Sequence, residues 1–126
     1  MVIRVLVVED EPLLAFDIAQ HLGEAGFQVV GPATSVARAL GFIEHAGCDV
    51  AVLDVNLGRE TSEPVAEKLA GLGTPFITLS GYSAEQHPAA FHASLSLTKP
   101  AKPAELIALL EQVVASREST AETAQI

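Results

Sequence analysis

Five polar side chains in this sequence have the types and the positions to form one chemical site. Each comes at the end of a short apolar stretch: Glu9 and Asp10 follow the first stretch, Asp54 the third, Ser80 the fourth and Lys99 the fifth. Neighbouring carboxylates repel one another unless a cation is present, and hard oxygen ligands with room for water suit Mg²⁺. A lysine and a hydroxyl can then pair with a phosphoryl group. The set suits phosphoryl transfer, in which positioning and charge neutralisation do most of the catalysis.

The apolar stretches before these residues predict the strands of a parallel sheet. Residues 49–54 contain Val, Ala and Leu without polar alternation and end at Asp54, as is typical of a strand buried on both faces. Four more strands are predicted at residues 3–8, 27–30, 76–79 and 95–97. Because parallel strands end at the same edge of a sheet, they would bring the five polar residues into one crevice.

Helical periodicity separates these strands. Five helices are predicted, beginning at Pro12, at Thr34 or Ser35, near Pro64, near residue 83 and at Pro103. The fourth, within residues 83–94, is expected to be short or irregular because Pro88 interrupts it. Residues 56–62 are predicted to form a polar loop, and Ser62 is interpreted only as part of the start of the third helix.

Strict alternation of strands and helices predicts an α/β fold: a flavodoxin-like, doubly wound parallel sheet of five strands with helices on both faces. The strands around residues 28 and 96 are the shortest or least apolar and are placed at the edges, which gives the strand order 2-1-3-4-5. One domain is predicted over residues 1–118, with a flexible C-terminal tail at 119–126.

Charge and composition exclude several classes of protein. The 126 residues include 16 acidic and 7 basic ones, a formal net charge of −9, which opposes direct binding to nucleic acid or to an anionic membrane surface. No apolar run approaches the roughly 20 residues of a transmembrane helix, and the first residues lack the zones of a signal peptide. Cys48 is the only cysteine, so no internal disulfide can form and a cytoplasmic location is expected.

Four short motifs stand at the predicted strand ends in a fixed order. They are Val7-Val8-Glu9-Asp10-Glu11-Pro12, Leu53-Asp54-Val55-Asn56, Leu79-Ser80-Gly81 and Lys99-Pro100. With these motifs the sequence resembles a response-regulator receiver domain over residues 3–116. The resemblance implies a protein of a two-component phosphorelay that catalyses only its own phosphorylation and dephosphorylation, and is not otherwise an enzyme.

The resemblance also implies a role for each acidic residue. Asp54 would be the phosphoacceptor, which takes a phosphoryl group from the phosphohistidine of a histidine kinase and forms an acyl phosphate. Asp10 and Asp54 would bind Mg²⁺ directly, and Glu9 would bind it mainly through water. Asn56 would bind the same ion through its backbone carbonyl.

Lys99 and Ser80 complete the implied site. Lys99 would contact the phosphoryl oxygens, and its bond to Pro100 is expected to be cis. Ser80 would move toward the phosphate and report its presence. Many receivers carry Tyr or Phe three residues before the lysine, but here that residue is Ser96. The usual coupling of Ser80 to an aromatic residue therefore cannot operate in its common form.

A narrower resemblance concerns residues 58–66 and 75–82, which look like the FATGUY receivers. These are often stand-alone regulators paired with kinases of the HWE or a related type, and their fourth helix is commonly short or mobile. This implies a single-domain response regulator, monomeric or weakly dimeric. Its partner would be a sensor histidine kinase or a phosphotransfer protein.

Two alternatives remain open. One is a receiver-like interaction module that acts without phosphorylation; such modules usually lack the acceptor, an acid or the lysine, and all of these are present here. The other is an aspartyl-phosphate hydrolase similar to the haloacid-dehalogenase-like phosphatases. In that group the nucleophile follows the first strand, whereas Asp54 follows the third.

Overall fold

A computed structural model describes residues 2–81, residue 90 and residues 95–124, with side chains described as far as residue 116. Strands and helices alternate among the described residues as far as residue 80, apart from one hairpin after the third strand. The elements are β1 (Arg4–Val8), α1 (Pro12–Glu24), β2 (Gln28–Ala33), α2 (Val36–His45), β3 (Val50–Asp54), β4 (Asn56–Leu57), β5 (Glu60–Thr61), α3 (Glu63–Gly71), β6 (Phe76–Ser80), β7 (Leu95–Thr98) and α4 (Pro103–Ala124).

The main sheet has five parallel strands in the order β2-β1-β3-β6-β7. This is the flavodoxin-like order that the sequence predicts, with the two least apolar strands at the edges. Every residue of the central strands β3 and β6 is buried, whereas the edge strand β7 has no fully buried residue. The predicted fold class is therefore confirmed.

A hydrophobic core lies on each face of this sheet. Within β3, Ala51 and Leu53 pack toward α2 and α3, while Val50 and Val52 pack toward α1 and α4. Because both faces are covered, every position of such a strand must be apolar until the strand ends. This is the physical reason for the unbroken apolar runs, and for the abrupt change to a carboxylate at Asp54.

Strand β2 is longer than predicted and runs through Gly31 and Pro32 to Ala33. A proline lacks the backbone N–H, but an irregularity in an edge strand tolerates this loss, and the register of β2 on β1 shifts at this point. Gly31 has a φ of +98°, which glycine adopts without a Cβ clash. The extension matters for the site, because the Ala33 carbonyl accepts a hydrogen bond of 3.0 Å from the backbone N–H of Glu9.

The segment predicted as a polar loop at 56–62 contains a small antiparallel hairpin. Asn56 pairs with Thr61 and Leu57 with Glu60, and Leu57 is buried. The glycine of the turn, Gly58, has a φ of +71°. Strands of two residues are too short to give an alternating pattern in a sequence, so the hairpin was not predicted.

The helix boundaries follow the predicted signals in most places. The Ser35 hydroxyl accepts a hydrogen bond of 3.2 Å from the Arg38 N–H, which confirms it as the cap of α2. The predicted fourth helix, at 83–94, lies outside the described residues apart from Ala90. Helix α4 continues to Ala124, beyond the predicted domain end at 118, because no glycine or proline after Pro103 interrupts it. The domain boundary itself stays a prediction.

Candidate functional site

The polar residues that follow the strands lie together at the carboxyl edge of the sheet. Asp54 and Ser80 are the last residues of β3 and β6, while Glu9 and Lys99 come directly after β1 and β7. Glu9 is 1% exposed, Asp54 5% and Ser80 2%. Buried polar groups need partners, and buried charges need them most.

One lysine neutralises two of the buried carboxylates. The Lys99 ammonium donates to Oε1 of Glu9 at 2.9 Å and to Oδ2 of Asp54 at 3.0 Å. Its backbone N–H donates to the Ser80 carbonyl at 2.8 Å, which ties the lysine to the end of β6. The structure thus brings four predicted residues into one bonded group.

A third carboxylate completes an acidic cluster. Glu9, Asp10 and Asp54 each have an oxygen within 4.8 Å of the others. Burial raises the pKa of Asp10, the hydrogen bond to Glu9 and the charge of Glu9 raise it further, and its own backbone and Lys99 only partly oppose this. The cluster therefore stays electronegative despite the lysine. Oxygen ligands in an electronegative crevice fit the preferences of Mg²⁺.

The lysine remains charged in this setting. Burial alone would lower the pKa of Lys99, but its hydrogen bonds to Glu9 and Asp54 and the charges of these two groups outweigh burial and raise the pKa above the usual lysine value. A permanent ammonium 3.0 Å from Asp54 can neutralise an anionic group that arrives at this carboxylate.

The second oxygen of Asp54 is also bound, by the start of the hairpin. The Asn56 N–H donates to Oδ1 of Asp54 at 3.3 Å. After the neighbouring strand β1, the Glu11 N–H donates to Oε2 of Glu9 at 3.2 Å. Backbone donors thus orient both buried carboxylates.

Sequence reasoning missed two residues at this site. The Ser62 hydroxyl donates to the backbone carbonyl of Asp54 at 2.7 Å, although the sequence shows Ser62 only as part of a helix start. A Cβ on Gly58 would lie 3.5 Å from Oδ2 of Asp10, so the hairpin turn lies beside this member of the acidic cluster. Gly58 is visible in the sequence, but nothing there indicates that it lies beside Asp10.

The residue in the usual aromatic position makes a polar contact instead. The Ser96 and Thr78 hydroxyls are 2.9 Å apart across β7 and β6, and Thr78 is fully buried. In the same pair of strands, Ser80 lies opposite Thr98. A row of hydroxyl side chains therefore follows this face of the sheet up to the acidic edge.

The model of the response regulator receiver domain matches residues 5–111 of the chain. The chain belongs to the receiver domain family. A curated relative of this receiver domain is the transcriptional regulatory protein PdtaR of Mycobacterium tuberculosis (strain CDC 1551 / Oshkosh), 31% identical over 123 residues. The alignment covers 94% of this chain and 60% of PdtaR, so the chain spans less than two thirds of that relative.

Two solved structures show the same architecture as this receiver domain. A CheY-like receiver domain protein from Methanospirillum hungatei JF-1 has a TM-score of 0.86 at 22% identity, covering 95% of this chain and 99% of that one. SdrG from Sphingomonas melonis Fr1 has a TM-score of 0.75 at 37% identity, covering 90% and 97%. The receiver domain thus belongs to two-component signalling, and its acidic cluster fits phosphorylation of an aspartate with Mg²⁺.

Proposed function

We propose that this receiver domain accepts a phosphoryl group on Asp54 from a phosphohistidine, as a response regulator of a phosphorelay. The observation that carries the proposal is the position of Asp54: its Oδ2 is 3.0 Å from the Lys99 ammonium, within an acidic cluster that suits a divalent cation. A carboxylate that merely solvated a strand end would not be 5% exposed.

In the transfer, a carboxylate oxygen of Asp54 forms a bond to phosphorus while the phosphorus–nitrogen bond of the donor breaks. The donor imidazole leaves with the bonding electron pair. Lys99 neutralises oxygens of the transferred group, and the Ser80 hydroxyl donates a hydrogen bond to one of them. A bound Mg²⁺ would supply further charge neutralisation; Asp10 and Asp54 would hold it directly, Glu9 through water and Asn56 through its backbone carbonyl.

The test compares the wild type with Asp54→Ala in the presence of Mg²⁺ and either beryllofluoride or a small phosphodonor such as acetyl phosphate. With acetyl phosphate, intact mass is expected to show one phosphoryl group on the wild type and none on the variant, and a chelator is expected to prevent the gain. Asp17→Ala is the matched control, because Asp17 is an exposed aspartate on α1 paired with His21. A response that does not depend on Asp54 would favour an interaction module that works without phosphorylation.

We also propose where the donor protein docks. Helix α1 begins directly after the acidic residues and carries two exposed apolar side chains, Leu13 at 82% and Phe16 at 67% exposure. Beside them, a pocket of about 370 Å³ lies between α1 and α4 and is lined mainly by apolar residues, with Lys99 and Pro100 at one side. Exposed apolar surface next to a reaction site is typical of a protein-binding surface. The partner would be a sensor histidine kinase, such as one of the HWE type, or a phosphotransfer protein.

Phe16→Ala is expected to slow phosphotransfer from a kinase that phosphorylates the wild type by about tenfold, as for an interface residue worth roughly 1.4 kcal/mol. The rate with acetyl phosphate should not change, because Phe16 is not part of the acidic cluster. Leu72→Ala is the control, since Leu72 is also exposed (57%) but follows α3. Equal slowing with both donors would show that Phe16 acts on the fold and not on docking.

We further propose that the protein acts as a stand-alone regulator of the FATGUY-like group in the cytoplasm, as a monomer or weak homodimer. The resemblance to SdrG over nearly all of that chain supports this proposal. Among the described residues, no helix is both long enough and apolar enough to cross a membrane.

A further inference from the structure

Ser62 is a fully buried polar residue with no role in the proposed chemistry. Its side chain is 0% exposed and it directly precedes α3, where a serine usually accepts a hydrogen bond from the first helical turn. Its side chain makes no such capping bond. The hydroxyl instead donates to the Asp54 carbonyl at 2.7 Å. Helix capping therefore does not explain this serine.

The Asp54 carbonyl needs this donor because, among the described residues, no backbone N–H of the sheet reaches it. Successive residues of a parallel strand direct their backbone groups to opposite neighbours. Val55 donates its N–H to the carbonyl of Leu79 in β6 at 3.0 Å. The backbone groups of Asp54 therefore face β1, and the paired part of β1 ends at Val8. A buried carbonyl without a donor is unfavourable, and the Ser62 hydroxyl satisfies it.

Ser62 also holds the next peptide unit. Its N–H donates to the Val55 carbonyl at 3.0 Å, and its hydroxyl lies 3.5 Å from the same oxygen. The following residue, Asn56, pairs with Thr61 in the hairpin and donates its N–H to Oδ1 of Asp54. The backbone from Asp54 to Asn56 is thus fixed at one end by Ser62 and at the other by the hairpin.

We propose that Ser62 is a positioning residue for phosphorylation: by holding the Asp54 and Val55 carbonyls, it orients the Asp54 carboxylate and the Asn56 carbonyl so that both can bind the same Mg²⁺. The inference rests on the function proposed above. Groups that orient metal ligands without touching the ion commonly change its affinity by about 10- to 100-fold when they are removed.

The experiment measures Mg²⁺ binding to the full chain by titration calorimetry, and the beryllofluoride adduct by fluorine NMR. Ser62→Ala is expected to bind Mg²⁺ about tenfold more weakly than the wild type and to shift the fluorine signals of the adduct. Thr78→Val is the control for loss of a buried hydroxyl, because Thr78 is also fully buried and bonds to Ser96 across β7. The control should retain wild-type Mg²⁺ affinity.

The outcomes distinguish a failure of the proposed function from a failure of the proposed role of Ser62. A wild type that forms no Mg²⁺-dependent adduct refutes the proposed function and the inference with it. If the wild type forms the adduct but Ser62→Ala binds Mg²⁺ as well as the wild type, or no worse than Thr78→Val, only the proposed role of Ser62 is refuted. If Ser62→Ala does not fold, Ser62→Cys keeps a side chain of similar shape with a weaker donor. The same comparison then applies, with an intermediate loss of affinity expected.

Discussion

Lys99→Met is expected to destabilise the protein and to make its remaining stability depend on Mg²⁺. The variant keeps a long apolar stem but removes the ammonium that binds Glu9 and Asp54 at 2.9 and 3.0 Å. Two almost fully buried carboxylates would then face each other without a cation. Breaking a buried ion pair costs about 3 to 5 kcal/mol, and we expect about 3 kcal/mol because the lysine side chain is 29% exposed.

Chemical denaturation with and without Mg²⁺ measures this effect. A divalent cation in the acidic cluster would supply part of the missing positive charge, so Mg²⁺ should restore more stability to Lys99→Met than it adds to the wild type. Phosphorylation should nevertheless stay slower by about 100-fold, because a preorganised donor to the transferred group is lost. Lys102→Met is the matched control, since Lys102 is exposed and should tolerate the change. A similar loss in both variants would contradict the proposed role of the ion pairs.

The stability that the Lys99 ion pairs with Glu9 and Asp54 provide should fall at high pH. The pKa of Lys99 is raised in the folded state, so the folded protein binds this proton more tightly than the unfolded chain does. The resulting stabilisation is complete below the unfolded lysine value of about 10.4 and is lost as the pH rises through the raised folded value. Lys99→Met should lack this alkaline loss, which comparison of the two unfolding curves at high pH can show.

The sequence was sufficient to predict the sheet and the meeting of several polar residues at its edge, because both depend on regular patterns. Strand β3 is apolar at every position between Asp49 and Asp54, and this alone indicates burial on both faces and a polar end. Parallel strands end at one edge, so residues as distant in sequence as Glu9 and Lys99 could be placed together before any distance was known. The 2.9 Å contact between them agrees with this topology.

The parts that the sequence did not predict depend on single contacts. Ser62 has the residue type of a helix cap, and only the direction of its hydroxyl distinguishes a cap from a donor to Asp54. The continuation of β2 to Ala33 depends on the backbone conformation at Gly31. The pairing of Ser96 with Thr78 depends on the register of two short strands. None of these contacts produces a periodic pattern.

Asp10→Asn is expected to stabilise the protein without Mg²⁺ and to remove most of the stabilisation that Mg²⁺ provides. Burial and the neighbouring Glu9 raise the pKa of Asp10, which means that its charge opposes folding in the absence of a cation. The amide has the same shape and no charge, so the melting temperature should rise by roughly 4 °C for each 1 kcal/mol of repulsion removed. Asp10 is a proposed direct ligand, so its loss should weaken Mg²⁺ binding at least as much as the loss of a group that only orients the ligands, which is about 10- to 100-fold.

Asp10→Asn should raise the stability without Mg²⁺ and lower the stabilisation by Mg²⁺. These opposite signs distinguish repulsion within the acidic cluster from a general effect of net charge. In the wild type, a ligand at 100 times its Kd adds about 2.7 kcal/mol, so Mg²⁺ should raise the melting temperature of the wild type and scarcely that of Asp10→Asn. The advantage of the variant without Mg²⁺ should shrink as the pH falls through the raised pKa of Asp10, because protonation removes the same charge from the wild type.

Glu11→Gln is the control: Glu11 is exposed and its side chain lies outside the cluster, so the same change in net charge should leave both the stability and the response to Mg²⁺ unchanged. An equal gain in stability for Glu11→Gln would mean that the net charge of −9, and not repulsion within the cluster, opposes folding.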